Sequence, residues 1–332
     1  MKIIKKKKQA SQKSPRPNLG IKLGGVNMKN PVMVASGTFA YGEEYGNYFD
    51  VSRIGAIVVK SISLKETLGN PAPRLWETAS GLLNAIGLQN VGYKRFIKEK
   101  MPYLRKLDTA IIVNISGKSV EEYVELARRF DHVPGISGLE LNISCPNVKE
   151  GAFAFGNNPR STHEVVYGVR RATSMPIITK LSPNVTDVAM MAKVCEEGGS
   201  NVVSLVNTFL GMAIDPETRR PRLANGFGGL SGPAIRPLAV RMVYQTKQVV
   251  RIPVVGMGGI MTAADALEFI LAGASAVAVG TANFVNPQAS AEIVEGIEDY
   301  LIRHNMADVQ DLVGKVVFPK KEEHNDYIRI QN

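Results

Sequence analysis

The sequence predicts a closed (β/α)8 barrel: eight parallel strands ringed by helices, in one domain with active-site loops inserted at the C-terminal face of the strands. Three observations carry this. Eight short, β-branched apolar runs recur along the 332 residues, and most are followed by a stretch with helical spacing. The runs are continuous, not alternating, as expected of parallel strands buried on both faces. Glycine-rich turns come late, after the seventh and eighth runs, where such barrels bind phosphate. An open doubly wound sheet usually carries G-x-G-x-x-G after its first strand. Here the first strand leads into Ala35-Ser36-Gly37-Thr38-Phe39 instead.

The expected strands are 31–35, 56–60, 110–114, 138–142, 176–180, 201–207, 253–256 and 276–280. Helical spacing at 120–130 places Val120, Tyr123, Val124, Ala127 and Phe130 on one side. Stretches 185–197 and 234–249 behave alike, and Thr262-Ala-Ala-Asp265 opens a further helix with a capping residue. Two connections, 61–93 and 146–160, are long for βα loops, and both leave C-terminal strand ends, where barrel active sites are built.

Hydrophobic residues make up 45% and charged residues 21%, an ordinary globular balance. Two cysteines, Cys145 and Cys195, make no disulfide framework and suit a reducing cytoplasm. The net charge of +10 is concentrated: residues 1–22 hold eight Lys and Arg and no acid, which leaves +2 for the rest. Residues 1–19 read as a solvated, disordered basic arm, residues 20–315 as the barrel and 316–332 as a C-terminal tail. Nucleic acid is not an expected partner, and no apolar run has the ~18 residues of a membrane span.

The strand ends supply Ser36, Lys60-Ser61, Asn114, Asn142 with Cys145, Lys180, Asn207-Thr208, Gly258-Gly259 and Gly280-Thr281. The two glycine turns offer backbone N–H groups to an anion, and the helix after each adds its positive end, a pairing suited to one phosphate monoester. Lys60 and Lys180 end apolar strands, where an ammonium needs an anionic partner. That partner is a ligand or a distant carboxylate. Asn84, Asn142, Asn207 and Thr208 are a neutral polar set able to donate and accept, as a planar ring with alternating C=O and N–H groups requires. Taken singly, each asparagine is as readily a cap or turn residue.

Cys145 precedes Pro146, which cannot continue a strand, so the thiol stands at a loop mouth. None of His132, His163, His304 and His324 stands at a strand end, and metal-ligand spacing is absent, so no metal is expected. Cys145 is the candidate acid/base. Cys195 follows helical spacing and reads as packing.

The motifs "NISCPNVK", "NAIGLQN", "KLSPNVTD", "GGLSGPAI", "GMGG" and "ASAVAVGTANF" together resemble the class 1 dihydroorotate dehydrogenases, and most closely the catalytic subunit of the NAD-linked class 1B enzyme. The resemblance implies that FMN is held by Ser36, Lys60, Ser61, Asn114, Asn142, Lys180, Val206, Gly232, Gly258, Gly259, Gly280 and Thr281. It implies that dihydroorotate is held by Lys60, Asn84, Ala85, Ile86, Gly87, Leu88, Asn142, Asn207 and Thr208. Cys145 would take the C5 proton of (S)-dihydroorotate while C6 gives a hydride to N5 of FMN, yielding orotate for pyrimidine (UMP) biosynthesis. Lys180 would stabilise charge near N1 of the flavin, and loop 146–158 could close over the substrate.

The same resemblance implies a homodimeric core, a cytoplasmic setting and no membrane contact. Electrons would reach NAD through a partner subunit carrying FAD and a [2Fe-2S] cluster, in a heterotetramer of two catalytic and two transfer subunits. The fumarate-linked class 1A homodimer is one alternative. A flavin-dependent tRNA dihydrouridine synthase-like enzyme is another, although the chain lacks the length for that group's extra C-terminal domain.

Overall fold

The structure, a computed structural model, describes residues 16–143 and 155–319. Eight parallel strands close into a barrel: β1 (Val32–Val34), β2 (Ala56–Val58), β3 (Ala110–Ile115), β4 (Gly138–Asn142), β5 (Ile177–Lys180), β6 (Val202–Leu205), β7 (Val254–Met257) and β8 (Ala276–Val279). They neighbour one another in chain order, and β8 returns to β1. Every residue of the eight strands is buried, which is why their sequences run apolar without alternation. Each lies within two residues of its expected bounds.

The ring of helices is set by local signals. Ser119 caps Val120–Asp131, accepting from Glu122 N, with Glu121 and Glu122 in the first turn and Arg128 and Arg129 in the last. Its buried face is Tyr123, Leu126, Ala127 and Phe130, so Leu126 takes the place expected for Val124. Asp187 caps Val188–Glu197 and starts it three residues later than the apolar spacing suggests. The stretch expected at 234–249 is a 3-10 turn, Pro233–Ile235, followed by the helix Arg236–Lys247.

Two antiparallel features depart from the sequence reading. A hairpin, Ile21–Leu23 with Val26–Met28, precedes β1. A four-stranded sheet, ordered Phe209–Gly211, Gly228–Ser231, Gly81–Asn84, Leu75–Thr78, is built from two connections, one of them after β6 and not recognised as long. Its strands are short and depend on glycine: a Cβ at Gly229 would lie 1.9 Å from Thr208 Oγ1. The terminal boundaries shift as well. Asn18, expected in the arm, donates its N–H to Ala307 O, and Val316, expected in the tail, donates to Leu271 O. Among the described residues no helix is long and apolar enough to cross a membrane.

Candidate active site

One cavity opens at the C-terminal end of the barrel, between the strand ends and the four-stranded sheet. Of the expected cofactor set, Ser36, Lys60, Ser61, Asn142, Lys180, Val206, Gly232, Gly258, Gly259, Gly280 and Thr281 line it. Asn114 does not. It is fully buried behind Ser61, whose hydroxyl donates to its Oδ1. Of the expected substrate set, Asn84, Ile86, Gly87, Leu88, Asn207 and Thr208 line the same cavity, joined by Lys60 and Asn142. Ala85 is the exception, packed with Leu83 and Leu223 on the other side of its strand. Cys145 and most of loop 146–158 lie outside the described residues.

The two glycine turns form one wall. At Gly259, φ is +76°, and a Cβ would meet Gly232 O at 2.9 Å and Arg236 N at 3.0 Å, so only glycine fits. At Gly280 a Cβ would meet only Ala35 Cβ, at 3.7 Å, and would otherwise stand in the cavity. Thr281 Oγ1 donates to Ser231 Oγ at 2.7 Å.

The helix ends behind these turns differ from expectation. Ala263–Ala272 opens with a capping box: Met261 N and Thr262 N, just ahead of the helix, donate to Asp265 Oδ2 at 2.9 and 2.8 Å, and Asp265 N donates to Thr262 Oγ1. Arg236 pairs with that carboxylate. The Asp265 carboxylate thus stands in the first turn, where it offsets part of the positive end of this helix. After Gly280 there is a single turn, Ala282–Val285.

Lys60 faces the cavity, and burial together with the nearby Arg74 guanidinium holds its ammonium below the usual lysine range. Arg74 donates to Gln89 Oε1 at 2.6 Å and to Asn70 O. Among the described residues neither cation forms an ion pair with a carboxylate. Two like charges beside a cavity await an anion. Sequence reasoning missed Arg74, because its neighbourhood to Lys60 arises only when connection 61–93 folds back.

A stability effect follows. Lys60 binds its proton less readily in the folded chain than in the unfolded one. The folded state is therefore penalised below the lowered pKa, and the penalty fades as pH rises toward about 10.4. Lys60→Met should stabilise the ligand-free protein at pH 7 by about 1 kcal/mol, with a smaller gain at pH 10. Urea midpoints at the two pH values measure this; a variant less stable than wild type at pH 7 contradicts it.

The neutral polar groups are held in place. Asn84 Nδ2 donates to Gly229 O at 3.2 Å, and Asn207 Oδ1 accepts from Thr208 N at 2.8 Å. Asn142 Nδ2 donates to Ser61 Oγ at 3.1 Å, while its Oδ1 is buried without a hydrogen-bond partner among the described residues. Cys195 is fully buried, and burial pushes its thiol up to about 12, which agrees with a packing role.

Strand-end cations, paired glycine turns and the Asn142 amide mark the C-terminal mouth of this (β/α)8 barrel as its candidate active site. The dihydroorotate dehydrogenase family model matches residues 18–301. A relative from Geotalea daltonii, named dihydroorotate dehydrogenase B (NAD(+)), catalytic subunit, is 56% identical over 299 residues, covering 90% of this chain and 98% of its own. A relative of the same name from Geotalea uraniireducens is 55% identical over 302 residues, covering 91% and 99%. A crystal structure described as DHODH in complex with ferulenol, from Eimeria tenella, superposes with a TM-score of 0.74 at 22% identity, covering 92% of this chain and 89% of that one. That structure shows the shared fold. The chain belongs to the dihydroorotate dehydrogenase family.

Proposed function

We propose that the cavity holds FMN, that dihydroorotate lies beside it, and that Cys145 is the base. The chain is the catalytic subunit type of an NAD-linked dihydroorotate dehydrogenase and oxidises dihydroorotate to orotate in pyrimidine biosynthesis. The family works with a flavin, and the residues present fit one. Asn142 Oδ1 is an acceptor with no partner among the described residues, suited to a ring N–H. The Gly259 and Gly280 turns leave room beside backbone for a phosphate. The single carrying observation is that Asn142, Lys60 and both turns share one cavity.

FMN, when bound, supplies the acceptor for the C6 hydride. The rest falls to side chains. Cys145 takes the C5 proton, so one C–H bond leaves as hydride, the other as proton, and the C5–C6 double bond of orotate forms. Lys60, which faces the cavity, suits the substrate carboxylate, and the nearby Arg74 adds to the positive field there. Lys180, buried at the end of β5, holds negative charge on the ring system. Asn84, Asn207 and Thr208 orient the substrate ring. The barrel, residues 20–315, would work in the cytoplasm as a homodimeric core, with partner subunits carrying FAD and [2Fe-2S] in a heterotetramer of two and two.

The test is direct. The purified chain should carry one flavin, identified as FMN by mass, and anaerobic dihydroorotate should bleach its absorbance. A colourless protein, or a flavin that dihydroorotate leaves oxidised, would overturn the reading.

A further inference from the structure

Beneath the cavity lies a carboxyl group that the reaction does not use. Glu140 sits mid-strand in β4, 1% exposed, between Leu139 and Leu141. A buried carboxyl is costly unless hydrogen-bonded. Here it accepts from Asn114 Nδ2 at 2.6 Å and from Ser204 Oγ at 2.9 Å. Asn114 Oδ1 in turn accepts from the Ser61 hydroxyl, and Ser61 Oγ accepts from Asn142 Nδ2 at 3.1 Å. The far end of this chain is the unpartnered Asn142 Oδ1.

The polarity of the whole chain is set at one end. Glu140 accepts on both oxygens, so Asn114 turns its NH2 toward Glu140 and its carbonyl toward Ser61. Ser61 must then spend its proton on Asn114 and accept from Asn142. The Asn142 amide is left with its oxygen, not its nitrogen, as the free group. The geometry points to Glu140 as a positioning residue: through Asn114 and Ser61 it fixes Asn142 as an acceptor, and so selects a ligand that presents a ring N–H there. This deepens the proposed function and rests on its assignment of FMN and a pyrimidine to the cavity, since both carry ring N–H groups.

The arrangement can be reversed on paper. If the group at 140 donated to Asn114, each amide would flip, Ser61 would donate to Asn142, and Asn142 would meet the ligand with an N–H. Glu140→Gln alone does not force this, because Ser204 can either donate or accept and so satisfies the new amide in both orientations. Ser204→Ala alone leaves the carboxylate in command. In the pair, the glutamine NH2 has no partner at position 204 and turns to Asn114, since an orphaned N–H is tolerated less well than an orphaned carbonyl.

The experiment compares the two single variants and the double variant as flavin-loaded proteins. The dissociation constant of orotate is read from the flavin spectrum, that of FMN from flavin release, and melting temperature is recorded alongside. Each single variant should bind orotate within about threefold of wild type. The double variant should bind ~10–100-fold more weakly, far beyond the product of the singles, whereas Glu140 and Ser204, being in direct contact, couple in melting temperature whatever the role of Glu140. Additive effects on affinity would overturn the positioning role. A wild-type protein that takes up neither FMN nor orotate would overturn the functional reading itself; wild-type binding with uncoupled variants removes only the role of Glu140.

Discussion

Cys145→Ala should lower dihydroorotate turnover by roughly 10²–10⁴-fold, the usual worth of a general base, while the chain keeps its flavin. The described residues that line the cavity come from the ends of β1, β2 and β4–β8 and from the four-stranded sheet and its connections. Loss of the base should therefore leave the cradle intact. Cys145→Ser should keep part of the activity with its optimum at higher pH, because a hydroxyl is the weaker acid. Steady-state rates across pH, with flavin content measured on the same samples, check both variants. Near-normal turnover by the alanine variant at neutral pH would remove Cys145 from the mechanism.

The isolated chain should reduce its flavin with dihydroorotate and yet hardly reduce NAD⁺. Nothing in the sequence looks like a dinucleotide fingerprint, so a second nucleotide site beside the flavin is not expected. A [2Fe-2S] cluster usually takes about four cysteines. This chain has two, of which Cys195 is fully buried with its thiol pushed up to about 12. Adding the partner subunit should restore NAD⁺ reduction. Rapid NAD⁺ reduction by the catalytic chain alone would contradict this, and efficient fumarate reduction would point to the class 1A chemistry instead.

The barrel was legible because its strands are buried on both faces: a fully buried strand leaves a continuous apolar run, and eight of them leave eight. Helix starts were legible where a side chain caps them, as Thr262 and Asp265 do, and displaced where apolar spacing ran past the cap, as at Asp187. The four-stranded sheet left no comparable trace. Its strands are three or four residues long, mostly half-exposed and rich in glycine, and its central pairing, Gly228–Ser231 with Gly81–Asn84, joins segments more than a hundred residues apart.

The sequence by itself determined the chemistry on offer: lysines and asparagines at strand ends, glycine at two late turns, and a cysteine before proline. These are local facts, written in residue type and position. Only the tertiary structure decided how they act together. It set Arg74 beside Lys60, paired Arg236 with the Asp265 carboxylate, and withdrew Asn114 and Ala85 from the cavity wall. It also joined Glu140, Asn114, Ser61 and Asn142 from three different strand segments into one hydrogen-bonded chain. Hydrogen-bond polarity and electrostatic coupling fall off within a few ångströms, so they depend on which side chains the closed barrel brings into contact, and residues as far apart in the chain as Ser61 and Asn142 meet only there.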